Sequence, residues 1–266
     1  MATFYSNPPP TLRWDFAPAI FIFFAAAGLV FADQTTNVIF AARAEMAFQR
    51  AQNQFQAQPD NSSNAWLFAR ASYDLADFAK SDAARADIAN QGIAACRQLI
   101  AREPKNAAAH YYLAMDLGQL ARTELLGALK LVKEMEREFK LAIALDEHFD
   151  FDGPARNLGL LYLEAPRLGS IGSQRKAREF LERAVKLAPD YPENHLNLAE
   201  AYLQWREPDR AKTELNALDT SWSKAQTNFT GEKWEASWDD WSTRRAAARQ
   251  KLDEISAPVE SPRDSH

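Results

Sequence analysis

The sequence predicts an all-α fold assembled from consecutive helix pairs, and three observations support this prediction. Glycine occurs only 9 times in 266 residues, about half its usual frequency, and residues that favour helices are abundant. Apolar residues recur at spacings of three and four from Asp33 almost to the end. Helix-stopping positions at Pro104, Glu147 and Pro189 each follow one amphipathic segment and precede another, which is typical of stacked helical hairpins.

The composition narrows the classes of function. The chain carries 31 Lys and Arg against 36 Asp and Glu, a formal charge of −5. It has no basic field to attract phosphates, so no nucleic-acid partner is expected. The single cysteine, Cys96, excludes an intramolecular disulfide and a cysteine-rich zinc site. Because Cys96 falls on the apolar side of a predicted helix, we expect a buried, inert thiol.

Residues 1–32 are predicted to be a signal peptide or an N-terminal anchor. The uncharged apolar run of residues 16–32 is shorter than the roughly 20 residues of a typical membrane span. It ends in Val30-Phe31-Ala32, with small residues at the positions that a signal peptidase reads, which predicts cleavage after Ala32. The alternative is that residues 16–32 stay in place as a membrane anchor. Either outcome predicts a periplasmic or otherwise exported protein.

Residues 33–59 are predicted to form an N-terminal helix that ends at Pro59. Its apolar face consists of Phe40, Ala44, Ala47, Phe48, Ala51 and Phe55.

Residues 60–225 contain about four helical hairpins with a shared pattern. Large and small apolar residues recur at matching positions, in chain order Trp66, Tyr73, Cys96 and Leu99; Leu113, Ala114, Leu117, Phe139 and Ala142; Leu158, Gly159, Tyr162, Ala177, Leu181 and Ala184; and Leu198, Ala199, Tyr202, Ala211 and Leu215. The pattern resembles the tetratricopeptide repeat (TPR), in which small residues let the two helices approach closely. This resemblance implies a right-handed superhelix. The first three repeats are longer than the standard unit, by about 10, 9 and 6 residues.

Two segments carry a narrower resemblance. Gly153–Tyr162, followed by Ala165-Pro166 and the Leu168–Ser173 loop, and the segment His110–Gly118 resemble the TatT accessory component of tripartite ATP-independent periplasmic (TRAP) transporters. The resemblance implies an exported homo-oligomer that associates with a periplasmic solute-binding protein. Unlike the lipoprotein members of that family, this chain has no lipidated cysteine, so it offers no lipid tether.

The first helices of stacked hairpins line the concave face of a superhelix, where partners commonly bind. The residues expected to face inward there are mostly apolar, which predicts a groove for a small apolar ligand or an apolar partner helix. The alternative is that an oligomer interface or the N-terminal helix fills the groove. The candidate binding residues are Leu67, Tyr111, Met115, Arg156, Leu160, Leu163, Leu196 and Glu200.

The sequence predicts no catalytic residues, no cofactor and no metal. No acid, base and nucleophile are marked out together by their surroundings. His110 and His195 occupy the same repeat position, which packing explains. The segment from His148 to Gly153 lacks the final glutamate of a calcium loop, so we expect an inter-repeat turn whose aspartate caps the next helix.

Residues 226–256 are predicted to form a C-terminal aromatic capping helix, and residues 257–266 a disordered tail. Trp234, Trp238 and Trp241 share one face of that helix. We expect them to cover the exposed end of the last repeat, and the alternative is a platform that binds a partner or stacks on a ligand.

The sequence therefore predicts a non-enzymatic, exported interaction scaffold. The resemblance to TatT assigns it to a TRAP-type uptake system, where it would engage a solute-binding protein or hold an apolar ligand. The alternative is a general TPR adaptor in bacterial envelope assembly that binds a peptide or an apolar partner helix. Membrane contact is expected only through a retained N-terminal segment.

Overall fold

The computed structural model describes residues 30–124 and 127–256, and side chains in the first helix from Val38 onward. This part of the chain is helical and contains no strand. Its helices are α1 (Val30–Ala57), α2 (Ser62–Ala76), α3 (Asp82–Arg102), α4 (Ala107–Ala121), α5 (Ala128–Leu145), α6 (Gly153–Glu164), α7 (Gln174–Leu187), α8 (Pro192–Gln204), α9 (Pro208–Asn228) and α10 (Glu235–Ser256), with a 3₁₀ turn at Glu232–Trp234. None of the described helices is long and apolar enough to cross a membrane. The predicted cleavage motif overlaps the start of α1, whereas residues 1–29 and the predicted tail, residues 257–266, lie outside the described residues.

Local sequence explains where several helices begin. The side chains of Asn61, Ser81, Asn106 and Ser173 each accept a hydrogen bond from the backbone N–H three residues later, at 3.1–3.3 Å. Such a cap contributes about 1 kcal/mol to helix stability because it satisfies a backbone donor that has no partner within the helix.

The predicted stack of helix pairs is confirmed. The pairs α2–α3, α4–α5, α6–α7 and α8–α9 pack within themselves and onto their neighbours, while α1 packs on α2 and α10 lies across α8 and α9. The extra length of the repeats has different origins. In the first pair α3 has 21 residues, whereas in the third pair α6 and α7 are joined by a loop over residues 165–173.

Small residues permit close helix contact within the pairs, as the repeat pattern predicted. A Cβ atom on Gly159 of α6 would lie 2.8 Å from Leu181 Cγ and 3.1 Å from the Leu181 backbone nitrogen of α7. Cys96 is fully buried, as expected, and burial raises the pKa of its thiol well above the ordinary value.

Candidate functional site

All eight candidate residues lie on the first helices of the pairs, α2, α4, α6 and α8, whose shared side we call the inner face. Leu67, Leu163 and Glu200 are half-buried, whereas the other five are buried: Tyr111, Met115, Arg156, Leu160 and Leu196. These five present no open surface, because they pack within the stack. Whether any of the eight contacts a partner stays a prediction. What runs through the inner face is a polar network that the sequence analysis missed.

The network begins at the turn between α5 and α6. Asp150, Phe151 and Asp152 all have positive φ, at 52°, 55° and 61°, a left-handed conformation that costs a non-glycine residue about 1 kcal/mol or more. This turn brings the Asp150 carboxylate to the Tyr111 hydroxyl, which donates a hydrogen bond to it at 3.1 Å. The expected Asp cap is wrong: the side chain of Asp152 makes no capping hydrogen bond, because a capping residue needs an extended rather than a left-handed backbone.

Arg156 of α6 is the centre of the network and is fully buried. Its Nη1 donates to the Asn194 side-chain oxygen at 3.1 Å and to a backbone carbonyl of the α5–α6 turn at 3.2 Å. Its Nη2 lies 3.5 Å from Asp150 Oδ2 and its Nε lies 3.6 Å from Glu193 Oε1. Burial alone would lower the pKa of Arg156, but Glu193 and its other polar neighbours outweigh burial and raise it. Arg156 therefore joins the α5–α6 turn to α8 as a permanent cation.

The network contains more carboxylates than arginines. In α2, Asp74 Oδ2 lies 3.8 Å from Arg70 Nε. At the other end, Arg244 of α10 binds Glu200 at 2.7 Å and Asp240 at 3.2 Å. With Asp150 and Glu193 the network thus holds five carboxyl groups against three arginines, Arg70, Arg156 and Arg244.

Burial is the main cause of raised pKa values among these carboxyl groups. It raises the pKa of Asp74 to about 7 and raises the pKa values of Asp150 and Glu193 as well. Asp74 Oδ1 is buried and has no hydrogen-bond partner, so the 21% of the Asp74 side chain that is exposed lies on its other atoms. An additional cation near Asp74 would therefore stabilise its ionised form.

The network reaches the surface at a cleft between the two ends of the described chain, which we call the terminal cleft. It encloses about 130 Å³ and lies between α1, α2 and the beginning of α10. Most of the surface of its wall is apolar, and two phenyl rings contribute to it. The wall shares one carboxyl group, that of Asp74, with the network. It consists of Phe40, Arg43, Ala44, Ala47, Asp74, Phe78, Glu232, Lys233, Ala236 and Ser237. Arg43 closes one side because it forms ion pairs with Glu232 at 3.1 Å and Glu235 at 2.7 Å.

The two histidines at the shared repeat position do more than fill space. His110 Nδ1 lies 2.5 Å from Glu138 Oε2 and its Nε2 lies 3.0 Å from the Pro104 carbonyl oxygen. His195 repeats this arrangement with Glu214 at 2.8 Å and the Pro189 carbonyl at 2.9 Å. Both partners of each ring are acceptors, so both ring nitrogens donate only in the doubly protonated form. The hydrogen bond to Glu138 accordingly raises the pKa of His110.

This geometry predicts a pH-dependent contribution of His110 to stability. Since its pKa is raised in the folded chain, its stabilisation is complete below the unfolded value near 6.5 and is lost as pH rises through the folded pKa. We expect His110→Gln to cost about 1–3 kcal/mol at pH 6 and clearly less at pH 9, measured by urea unfolding. His148→Gln is the matched control, since that side chain is 65% exposed. An equal cost for His110→Gln at both pH values would contradict the assignment.

The C-terminal tryptophans cover the last helix pair. Trp234 and Trp241 are buried and pack against Tyr191 and Phe229. Trp238 is half-buried, and its Nε1 donates to the Phe229 carbonyl at 2.6 Å. In this structure these side chains form a cap on α8 and α9, and two of the three have no open face for a ligand.

Within residues 30–124 and 127–256, no group of three His, Cys, Asp or Glu side chains is placed to hold a metal ion.

Comparisons with known proteins agree with this architecture. The family model of regulator of microtubule dynamics protein 1-3 matches residues 32–151, and a tetratricopeptide repeat model matches residues 175–220. Among solved structures, TTC0263, a thermophilic TPR protein of Thermus thermophilus, is 19% identical, with a TM-score of 0.57 and coverage of 82% of this chain and 96% of that chain.

Two further solved structures are more distant. MamA is 16% identical, with a TM-score of 0.47 and coverage of 75% of this chain and 98% of that chain. YrrB, described as a TPR protein with an unusual peptide-binding site, is 13% identical, with a TM-score of 0.43 and coverage of 77% and 92%. No curated protein matches the chain. None of these comparisons confirms the resemblance to TatT.

Proposed function

We propose that this TPR-type repeat protein is a non-enzymatic scaffold whose terminal cleft receives a basic side chain of a partner protein. The observation that supports this proposal is the state of Asp74. Its carboxyl group is desolvated, has a pKa of about 7 and keeps one oxygen without a hydrogen-bond partner. A lysine or arginine of a partner could reach the exposed part of this carboxyl group, since 21% of the side chain is exposed, and would add a second cation beside Arg70.

The surroundings of Asp74 favour the same kind of ligand. Phe40 and Phe78 line the cleft, and aromatic rings attract cations over their faces. The charged residues of the cleft wall are balanced, with Asp74 and Glu232 against Arg43 and Lys233. The preference for positive charge comes from the network behind the wall, which holds five carboxyl groups and three arginines. The TPR-type fold supports binding rather than catalysis as the role of this site.

A display library of random peptides tests the proposal with the full chain as bait. We expect bound peptides to be enriched in lysine and arginine, and Asp74→Asn to weaken their binding by about 10- to 100-fold, the usual effect of losing a hydrogen bond between charged groups. Asp239→Asn is the matched control: it removes the same charge from an exposed position of α10 and is expected to leave binding unchanged. Peptides without basic residues, or equal effects of the two variants, would overturn the proposal.

A narrower form of the scaffold function is that of a TatT-like accessory in a TRAP-type uptake system. The partner would then be a periplasmic solute-binding protein, and the chain would be an exported homo-oligomer. This assignment is supported by the sequence of α6 and its following loop, in which Leu168 is 93% exposed and so available to a partner. The test is to purify this chain from the cell that exports it. A solute-binding protein that copurifies with the chain would support this role over that of a general envelope adaptor.

A further inference from the structure

Helix α1 presents an apolar stripe to solvent. Val38, Ile39 and Met46 are 69%, 46% and 58% exposed, and Ala42 between them is exposed as well. The stripe lies opposite the face that packs on α2, where Ala44, Phe48 and Ala51 are buried. Within the described residues α1 packs on the repeat stack through that second face, and the exposed stripe takes no part in this packing.

The spacing of the stripe matches a seam between two helices. Ile39, Ala42 and Met46 follow each other at intervals of three and four residues, as the a and d positions of a coiled coil do. On this register Glu45 takes a g position and Arg50 the following e position. In a parallel pair of helices these two positions of opposite chains face each other, and opposite charges there set partner and orientation.

We propose that α1 pairs in parallel with α1 of a second copy of this chain through Ile39, Ala42 and Met46. The charges beside the stripe indicate that the partner is a second copy of this chain, because Glu45 of each copy then faces Arg50 of the other. Both side chains are exposed, and neither forms an ion pair within the described part of the molecule, in contrast to Arg43, which is bound to α10. This pairing is independent of what the terminal cleft binds.

Charge reversal tests the pairing on the full chain in detergent micelles, with the mass measured by sedimentation equilibrium. We expect Glu45→Arg and Arg50→Glu each to weaken dimerisation about tenfold, because two attractive pairs become two repulsive ones. The double variant restores the pairs with exchanged signs and should dimerise like the wild type. A monomeric wild type, or a double variant no better than the single ones, would overturn the proposal.

A cysteine at the seam gives a second, independent measurement. Ala42→Cys is expected to form a disulfide-linked dimer on oxidation, because equivalent seam residues of a parallel pair come within the Cα separation of roughly 7 Å that a disulfide requires. Gln54→Cys, exposed on α1 but off the seam, is the matched control, and the native Cys96 is buried. Equal cross-linking of both variants would overturn the pairing. Binding of a monomer to phospholipid vesicles that is lost on Ile39→Asp would also overturn it and would assign the stripe to a lipid surface.

Discussion

Replacing Arg156 by methionine is expected to cost about 3–5 kcal/mol of unfolding free energy at pH 8. The substitution keeps much of the side-chain volume but leaves Asp150 and Glu193 buried without their cation, and breaking a buried ion pair by removing one partner costs about this much. It also removes the hydrogen bonds to Asn194 and to the α5–α6 turn. The measurement is guanidinium unfolding followed by circular dichroism.

The pH dependence of this cost distinguishes lost charge from lost packing. Burial raises the pKa values of Asp150 and Glu193, and without Arg156 they are raised further, so both groups are neutral at lower pH. The cost of Arg156→Met should therefore be smaller at pH 5 than at pH 8. Arg175→Met is the control, since that side chain is 80% exposed and its ion pair contributes less than about 0.5 kcal/mol. A cost below about 1 kcal/mol for Arg156→Met would show that Arg156 does not hold the repeats together.

The second large effect is expected at Gly159, where α6 and α7 meet. A Cβ atom there would lie 3.1 Å from the backbone nitrogen of Leu181, so a larger side chain must push the two helices apart. We expect Gly159→Leu to cost about 2–3 kcal/mol, the upper part of the range for overpacking. Differential scanning calorimetry measures the cost as a lower melting temperature.

The control for Gly159→Leu is Ala144→Leu, which adds a leucine to an exposed position of α5. It should change the melting temperature little, because surface substitutions generally stay within about 0.5 kcal/mol. Equal effects of the two leucines would mean that the close approach of α6 and α7 is not required.

The periodicity of the sequence was enough to predict the helix pairs, because the apolar face of each helix is a local property. Gly159 and Cys96 were assigned to tight or buried positions for the same reason, since the repeat pattern marks where neighbouring helices touch.

The inner face could not be predicted in the same way. Arg156 was expected at a groove surface, but its partners Asp150 and Glu193 come from the α5–α6 turn and from the start of α8, which only the stacking of repeats brings together. The contact of Arg43 with Glu235 joins residues 192 positions apart, and no local pattern encodes it. The histidine pairs did leave a signal: Pro104 and His110 have the same separation as Pro189 and His195, which marks the carbonyl acceptor of each ring.

The pH dependence of binding at the terminal cleft shows whether Asp74 holds a cation of the partner. A lysine-containing peptide selected from the library would be titrated against wild type and Asp74→Asn by isothermal calorimetry at pH 5.5 and 8.5. Because Asp74 must ionise to hold a cation and its pKa is about 7, we expect wild-type affinity to rise roughly 30-fold with pH. Asp74→Asn should bind weakly at both values. Wild-type affinity that is independent of pH, or equal to that of Asp74→Asn, would show that Asp74 does not hold a cation of the partner.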